Sequence, residues 1–295
     1  MDNEDGERYL EPDELGEYQV PFDGKCWWCG KENLTGEHKF KQTDLRKMFG
    51  TDPDTELIFF SSDGHVSYVR GPNSAVVKFD KNLCAECNNA RSQRFDRAWD
   101  DMSEYIRANW PSLKAGVSIR LSDVYPHPEE RGIADLTRYV VKHFGCKIAA
   151  SLLPVPLDLP RYLDDPNSVE SVQIAMFYSE GRAQMQHAID QDGLTGSGSS
   201  MLTNGPLIAT LSRSRQVPTD FVTELLLGPI GFLVKWCDWQ TAERPLHRAE
   251  YAALYDRREM PYLEIHDARP DLGEARKFMR DNPSKESRAV DSDNA

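Results

Sequence analysis

The sequence predicts an α+β protein, a compact cysteine-anchored module followed by an α+β accessory domain. Three observations lead there. Two C-x-x-C pairs stand far apart in the chain, "CWWC" at 26–29 and "CAEC" at 84–87. Between them, the runs "ELIFFSS" and "HVSYVRG" flank Asp63-Gly64, a strong hairpin signal. After the second pair, Phe95, Trp99, Met102 and Ile106 recur at spacings of four, three and four, one face of a helix.

In chain order, residues 1–20 read as a disordered acidic leader, with eight acids against the single base Arg8. Residues 21–110 form the module, ending where Pro111 stops the helix. Within it, "TDLRKMFG" (43–50) reads as a short helix, Thr43 capping its start and Gly50 ending it. "SAVVKFD" (74–80) is a third strand candidate. Residues 111–268 form the accessory domain. Its "GIADLTRYVVKHFGCKIAASLL" (132–153) has helical spacing, with Gly145 placed to kink or divide it. "VQIAMFYS" (172–179), "PLIATLS" (206–212) and "GPIGFLVKW" (228–236) read as strands. "QDGLTGSGSSMLTNG" (191–205) reads as a glycine- and serine-rich loop, and residues 269–295 as a mostly disordered polar tail.

The apolar stretch 221–236 is broken by Glu224, Gly228, Pro229 and Gly231, so it reads as buried core, not a membrane span. The N-terminus lacks the basic flank and apolar centre of a signal peptide. The expectation is a cytoplasmic protein with no membrane partner. A net charge of −13 argues against a nucleic-acid partner. That charge is unevenly spread, however: the leader carries −7, while residues 21–100 hold twelve acids and twelve bases and balance to zero.

In a reducing compartment, paired C-x-x-C units read as metal ligands before disulfides. Four thiolates from Cys26, Cys29, Cys84 and Cys87 match a closed tetrahedral zinc site of structural type. Knuckle, hairpin, second knuckle and helix make a treble-clef-like order. Such a staple would bring Glu37 and His38, eight and nine residues beyond Cys29, beside Asn88 at the start of the second helix. A carboxylate and a carboxamide offer hard oxygens to a Mg²⁺-like ion. A neutral imidazole can take a proton from a water attacking phosphate.

C-x-x-C, then Glu-His, then C-x-x-C-Asn resembles the HNH (ββα-metal) endonucleases, above all the zinc-stapled branch that includes the endonuclease VII-type phage resolvases. The run 71–106 is also similar to uncharacterised bacterial HNH-like proteins. The likeness covers about residues 24–100. It implies a nuclease hydrolysing phosphodiester bonds, with His38 as general base and Glu37 and Asn88 holding a catalytic Mg²⁺ or Mn²⁺. The structural ion would be Zn²⁺, and the substrate nucleic acid, DNA sooner than RNA. The chain departs from the family where many members read "HIxP": here the sequence is "EHKFKQTD". The family's base-orienting asparagine has no certain match; Asn82 and Asn73 are the nearest, and Asn89 competes with Asn88 as ligand.

Arg91 and Arg94 on the helix, and Lys39 and Lys41 with Arg46 and Lys47, are the candidate phosphate contacts. Trp27 and Trp28 either stack on bases or cover the zinc site. His65 reads as a loop histidine, and Cys146 and Cys237 as buried thiols. The accessory domain shows no recognisable chemistry, and a protein partner or a homo-oligomer face suits it as well as DNA. A catalytically inactive, zinc-organised binding module for nucleic acid or protein is the alternative to a nuclease.

Overall fold

The computed structural model describes residues 14–49, 57–60, 66–69, 72–126, 128–191, 202–212, 217–238, 262–264 and 266–267. It is a mixture of helices and mainly antiparallel sheets, as the sequence predicts. The module opens with the knuckle, where Gly30 takes φ 72° and donates its N–H to the Cys26 carbonyl at 2.8 Å. Strand β1 (Leu34–Thr35) follows, then helix α1 (Gln42–Phe49), and strands β2 (Leu57–Phe60) and β3 (Val66–Val69), which pair antiparallel. The turn between β2 and β3, and His65 in it, lie outside the described residues.

Strand β4 (Leu83–Cys84) pairs antiparallel with β1. The ribbon continues beyond these short strands: Phe79 N–H donates to Glu37 O, Lys39 N–H to Val77 O, and His38 bridges Lys78. The third expected strand is different. Residues 75–77 form a 3-10 turn, so only 77–79 run beside the Glu37-His38 segment. After β4 the chain makes a π-helical turn, Glu86–Arg91, and then helix α2 (Gln93–Asn109). The predicted stripe of Phe95, Trp99, Met102 and Ile106 is buried throughout. Thr43 does not cap α1; its hydroxyl bonds Asp100 across on α2 at 2.5 Å.

Strand β5 (Ser118–Arg120) leads to helix α3 (Glu129–Ala150), which is buried on nearly every side. The helix lies in the middle of the protein with Asp135, Lys142 and His143 buried among its apolar residues. Gly145 neither kinks nor divides it; an added Cβ there would lie 2.4 Å from the Trp27 ring. The absent side chain lets the first knuckle pack directly on the helix. Helix α4 (Asp158–Asp164), strand β6 (Val172–Tyr178) and helix α5 (Glu180–Gln191) follow.

Strands β7 (Leu202–Asn204), β8 (Ile208–Ser212), β9 (Val217–Leu227), β10 (Ile230–Cys237), β11 (Tyr262–Glu264) and β12 (His266–Asp267) complete the described elements. The main sheet runs β12-β6-β10-β9-β7, with β8 also on β9, and only the β12–β6 pair is parallel. β11 pairs with β5. The stretch 221–236 is a hairpin, turning at Gly228 (φ 57°) and Pro229. Every residue of β10 is buried, which suits a run that is apolar but for Lys235. Cys146 and Cys237 are buried, as expected.

Two boundaries differ from those read in the sequence. The leader is not wholly apart from the fold: Glu14–Tyr18 form a 3-10 turn, and Val20 N–H bonds Leu152 O at 2.7 Å. The division near residue 110 does not separate two cores. One apolar cluster runs from Cys26 and Phe95 through Tyr139 and Phe144 to Phe221 and Trp236. Residues 269–295 lie outside the described residues.

Candidate functional site

The ribbon and the second knuckle bring the four cysteine sulfurs together. Their ligand atoms all lie within 4.8 Å of one another. A tetrahedral ion with sulfurs at about 2.3 Å spaces them about 3.8 Å apart. Cys29 and Cys84 sulfurs are 3.5 Å apart, and Cys87 N–H points at the Cys84 sulfur at the same distance. Packed so closely, the thiols share charge unequally. A bond from Cys87 pulls Cys26 down to about 4, and that same bond holds the Cys87 proton on. The donor set fits one metal ion such as zinc, and all four predicted ligands belong to it.

Glu37 and His38 sit on the ribbon directly after β1. Glu37 is buried; its Oε1 lies 3.0 Å from Lys142 Nζ and 3.6 Å from His143 Nε2. Burial raises its pKa, with the Lys142 charge opposing the rise. His38 is half-buried, with Nε2 3.1 Å from the Pro72 carbonyl. A carbonyl accepts only, so this contact puts the proton on Nε2 and leaves Nδ1 as the basic nitrogen. Burial first, and the Lys78 charge second, lower its pKa and favour the neutral ring.

Asn88 lies in the π-helical turn after the last cysteine. Its amide donates to Thr35 Oγ1 at 3.0 Å and to Gly36 O at 3.4 Å, beside Glu37. Thr35 passes the link on to Leu83 O. The other end of the side chain, Oδ1, is buried with no hydrogen-bond partner. Asn89 points away, donating to Ala85 O. The orienting contact for His38 is the Pro72 carbonyl and no asparagine. Asn82 instead donates to Cys146 O at 2.8 Å, and Asn73 accepts from Gln42.

Five of the basic residues expected to face phosphate, Arg91, Arg94, Lys39, Lys41 and Lys47, are engaged within the chain, while Arg46 is exposed. Arg91 stacks over Trp28 at 4.2 Å, pairs with Asp164, and approaches Cys87 Sγ at 3.8 Å. It braces the knuckle against α4, where Trp28 Nε1 also reaches Asp164. Arg94 pairs with Asp135 on α3 at 3.3 Å and Lys41 with Asp96 at 3.3 Å. Lys39 Nζ donates to Val76 O, and Lys47 pairs with Glu104. Trp27 packs on α3 at Gly145, and Trp28 is buried in the core. Both cover structure; base stacking would require them to leave it.

The sequence reading missed the contribution of α3. Lys142, fully buried, bonds Glu37, Asp96 Oδ1 at 2.9 Å and Ser92 Oγ at 3.4 Å. Burial works against its charge, but Glu37 and Asp96 outweigh burial and raise its pKa. His143, wedged against Tyr139 and Phe79, is held neutral by burial and by the Lys142 charge. The available signal was "KH" inside an otherwise apolar helical run. A buried lysine needs a carboxylate partner, and neither Glu37 nor Asp96 is near in sequence.

A divalent cation between Glu37 and Asn88 does not fit this arrangement. The orphaned Asn88 oxygen suits one, but the carboxylate oxygen already faces the Lys142 ammonium at 3.0 Å. Among the described residues, the four cysteines are the one group of three or more His, Cys, Asp or Glu ligands that comes together.

No family model, curated protein or solved structure matches the chain. The likeness to HNH nucleases therefore rests on its motif residues alone.

Proposed function

We propose that the protein is an HNH-type endonuclease on a zinc-stapled, treble-clef-like module, with His38 as the general base. The single observation that carries this reading is the state of His38. A neutral ring, fixed by Nε2–H on the Pro72 carbonyl, leaves Nδ1 as a proton acceptor on the residue after Glu37, in the ribbon whose Gly36 carbonyl takes the Asn88 amide. In hydrolysis, Nδ1 would take a proton from water as the water oxygen attacks phosphorus. The P–O bond on the opposite side breaks, and the leaving oxygen takes a proton from solvent. Proton transfer of this kind contributes on the order of 10²–10⁴-fold. DNA is the favoured substrate on family likeness.

The test is cleavage of plasmid and single-stranded DNA and RNA by zinc-loaded protein, beside His38→Ala with equal zinc content. The expected result is cleavage that falls at least about 100-fold in the variant. Cleavage that survives His38→Ala overturns the assignment.

One observation favours the second reading, a zinc-organised binding module without catalysis. Arg91, Arg94 and Lys41 are all paired with acids of the same chain. On that reading, wild type and His38→Ala bind nucleic acid or a protein partner equally and neither cleaves. The accessory half, rich in sheet, would then supply the partner or self-association surface.

A further inference from the structure

The E-H pair and the asparagine after the last cysteine imply a divalent cation, yet the positive charge beside Glu37 comes from the chain itself. An ammonium has three N–H donors. Lys142 has three acceptors around it, Glu37 Oε1 at 3.0 Å, Asp96 Oδ1 at 2.9 Å and Ser92 Oγ at 3.4 Å. Asp96 also meets Lys41 at 3.3 Å, so two carboxylates face two ammonium groups and the cluster balances. The lysine stem has no exposure at all and lies along Tyr139, with the charge 5.4 Å from the ring centre. Its acceptors come from two separate segments, Glu37 from the ribbon and Ser92 and Asp96 from the first turn of α2. A side chain so enclosed is a fixed part of the fold.

We propose that the Lys142 ammonium takes the cation's place at Glu37, so that the site works without a divalent ion on that carboxylate. The proposal rests on reading Glu37-His38 as the reactive pair, but its consequence for metal binding can be measured without any activity. Glu37 keeps a charged neighbour in every state of the protein. A divalent ion approaching its carboxylate would meet a like charge that has nowhere to retreat. Lys142 is thus a positioning residue, holding Glu37 beside the ribbon and neutralising it there.

Zinc-loaded protein is titrated with Mn²⁺ and the free ion followed by electron paramagnetic resonance. Wild type and Glu37→Gln should bind Mn²⁺ alike. Lys142→Met keeps the apolar stem and removes the charge, leaving the Glu37 and Asp96 carboxylates that met on the ammonium without it. It should bind Mn²⁺ at least roughly tenfold more tightly than wild type, a change of about 1.4 kcal/mol. A wild-type Mn²⁺ site that Glu37→Gln abolishes overturns the proposal. That comparison needs no Lys142 variant, so it decides the matter even where Lys142→Met fails to fold. Absence of cleavage on any substrate would end the nuclease reading and leave the Mn²⁺ result standing.

Discussion

Replacing Gly145 with alanine tests how the zinc knuckle is docked. In a solvent-facing helix the change stabilises by about 1 kcal/mol, because alanine restricts the unfolded chain and favours helix. Here the new Cβ would stand 2.4, 2.5 and 2.8 Å from Cη2, Cζ2 and Cζ3 of Trp27. Carbon atoms prefer about 3.5–4.0 Å, so the ring must retreat by about 1 Å. Trp27 is not free to do so cheaply: its N–H holds Asn82 O at 3.1 Å, and Cys26 and the knuckle turn adjoin it. Overpacking of this kind costs roughly 1–3 kcal/mol, which exceeds the helix gain through most of that range. The expected net loss is about 0–2 kcal/mol, read as a lower urea midpoint at unchanged slope in zinc-loaded protein. In a Trp27→Ala background the same substitution should turn stabilising, giving a coupling energy of about 1–3 kcal/mol. A Gly145→Ala variant more stable than wild type in the Trp27 background would refute the docking of the knuckle on α3.

Purified protein should carry one zinc per chain by elemental analysis, and Cys87→Ser or Cys84→Ser should lose it together with most thermal stability. Arg91→Ala should destabilise by about 1–2 kcal/mol through lost stacking on Trp28 and lost pairing with Asp164. It should leave the salt slope of any nucleic-acid binding unchanged; a slope reduced by about 1 would make it a phosphate contact after all. Lys147, bonded to Gly205 O and to Thr223 Oγ1, is lowered to about 7, chiefly by burial. Because the folded pKa lies below the unfolded one, the unfolded chain binds more protons between about pH 7 and 10.5, and stability rises with pH across that window. The rise is at most roughly 5 kcal/mol, and less for a side chain partly in solvent. Lys147→Met should flatten it, and equal slopes in the two proteins would show that this lysine stays charged when folded.

Local signals were legible in the sequence because they depend on neighbours along the chain. The stripe on α2, the β2–β3 pairing and the cysteine pairs each follow from spacing. β9 is hard to see in the sequence because Pro218, Asp220 and Glu224 interrupt its apolar pattern, although its partners β8 and β10 are its neighbours along the chain. Residues 74–80 have strand composition, yet at 75–77 the chain turns to bring 77–79 against the ribbon. Gly145 was read as a helix breaker for want of Trp27, which lies 118 residues earlier.

The candidate site shows the same limit in its chemistry. Glu37, His38 and Asn88 could be named from motif order, since the staple and the ribbon bring their segments side by side. What Glu37 does depends on α3, an element that begins beyond the module. Lys142 turns Glu37 from an open ligand into half of a buried ion pair, and Asp135 on the same helix takes up Arg94. Asp164 on α4 does the same for Arg91. One apolar cluster joins these elements to the cysteine module, so cutting the chain near residue 110 would bare the face of α2 that packs on α3, take the Lys142 ammonium from Glu37 and leave Asp96 with Lys41 alone. A fragment ending there should therefore lose solubility, and the reactive pair should be assayed only in the full chain.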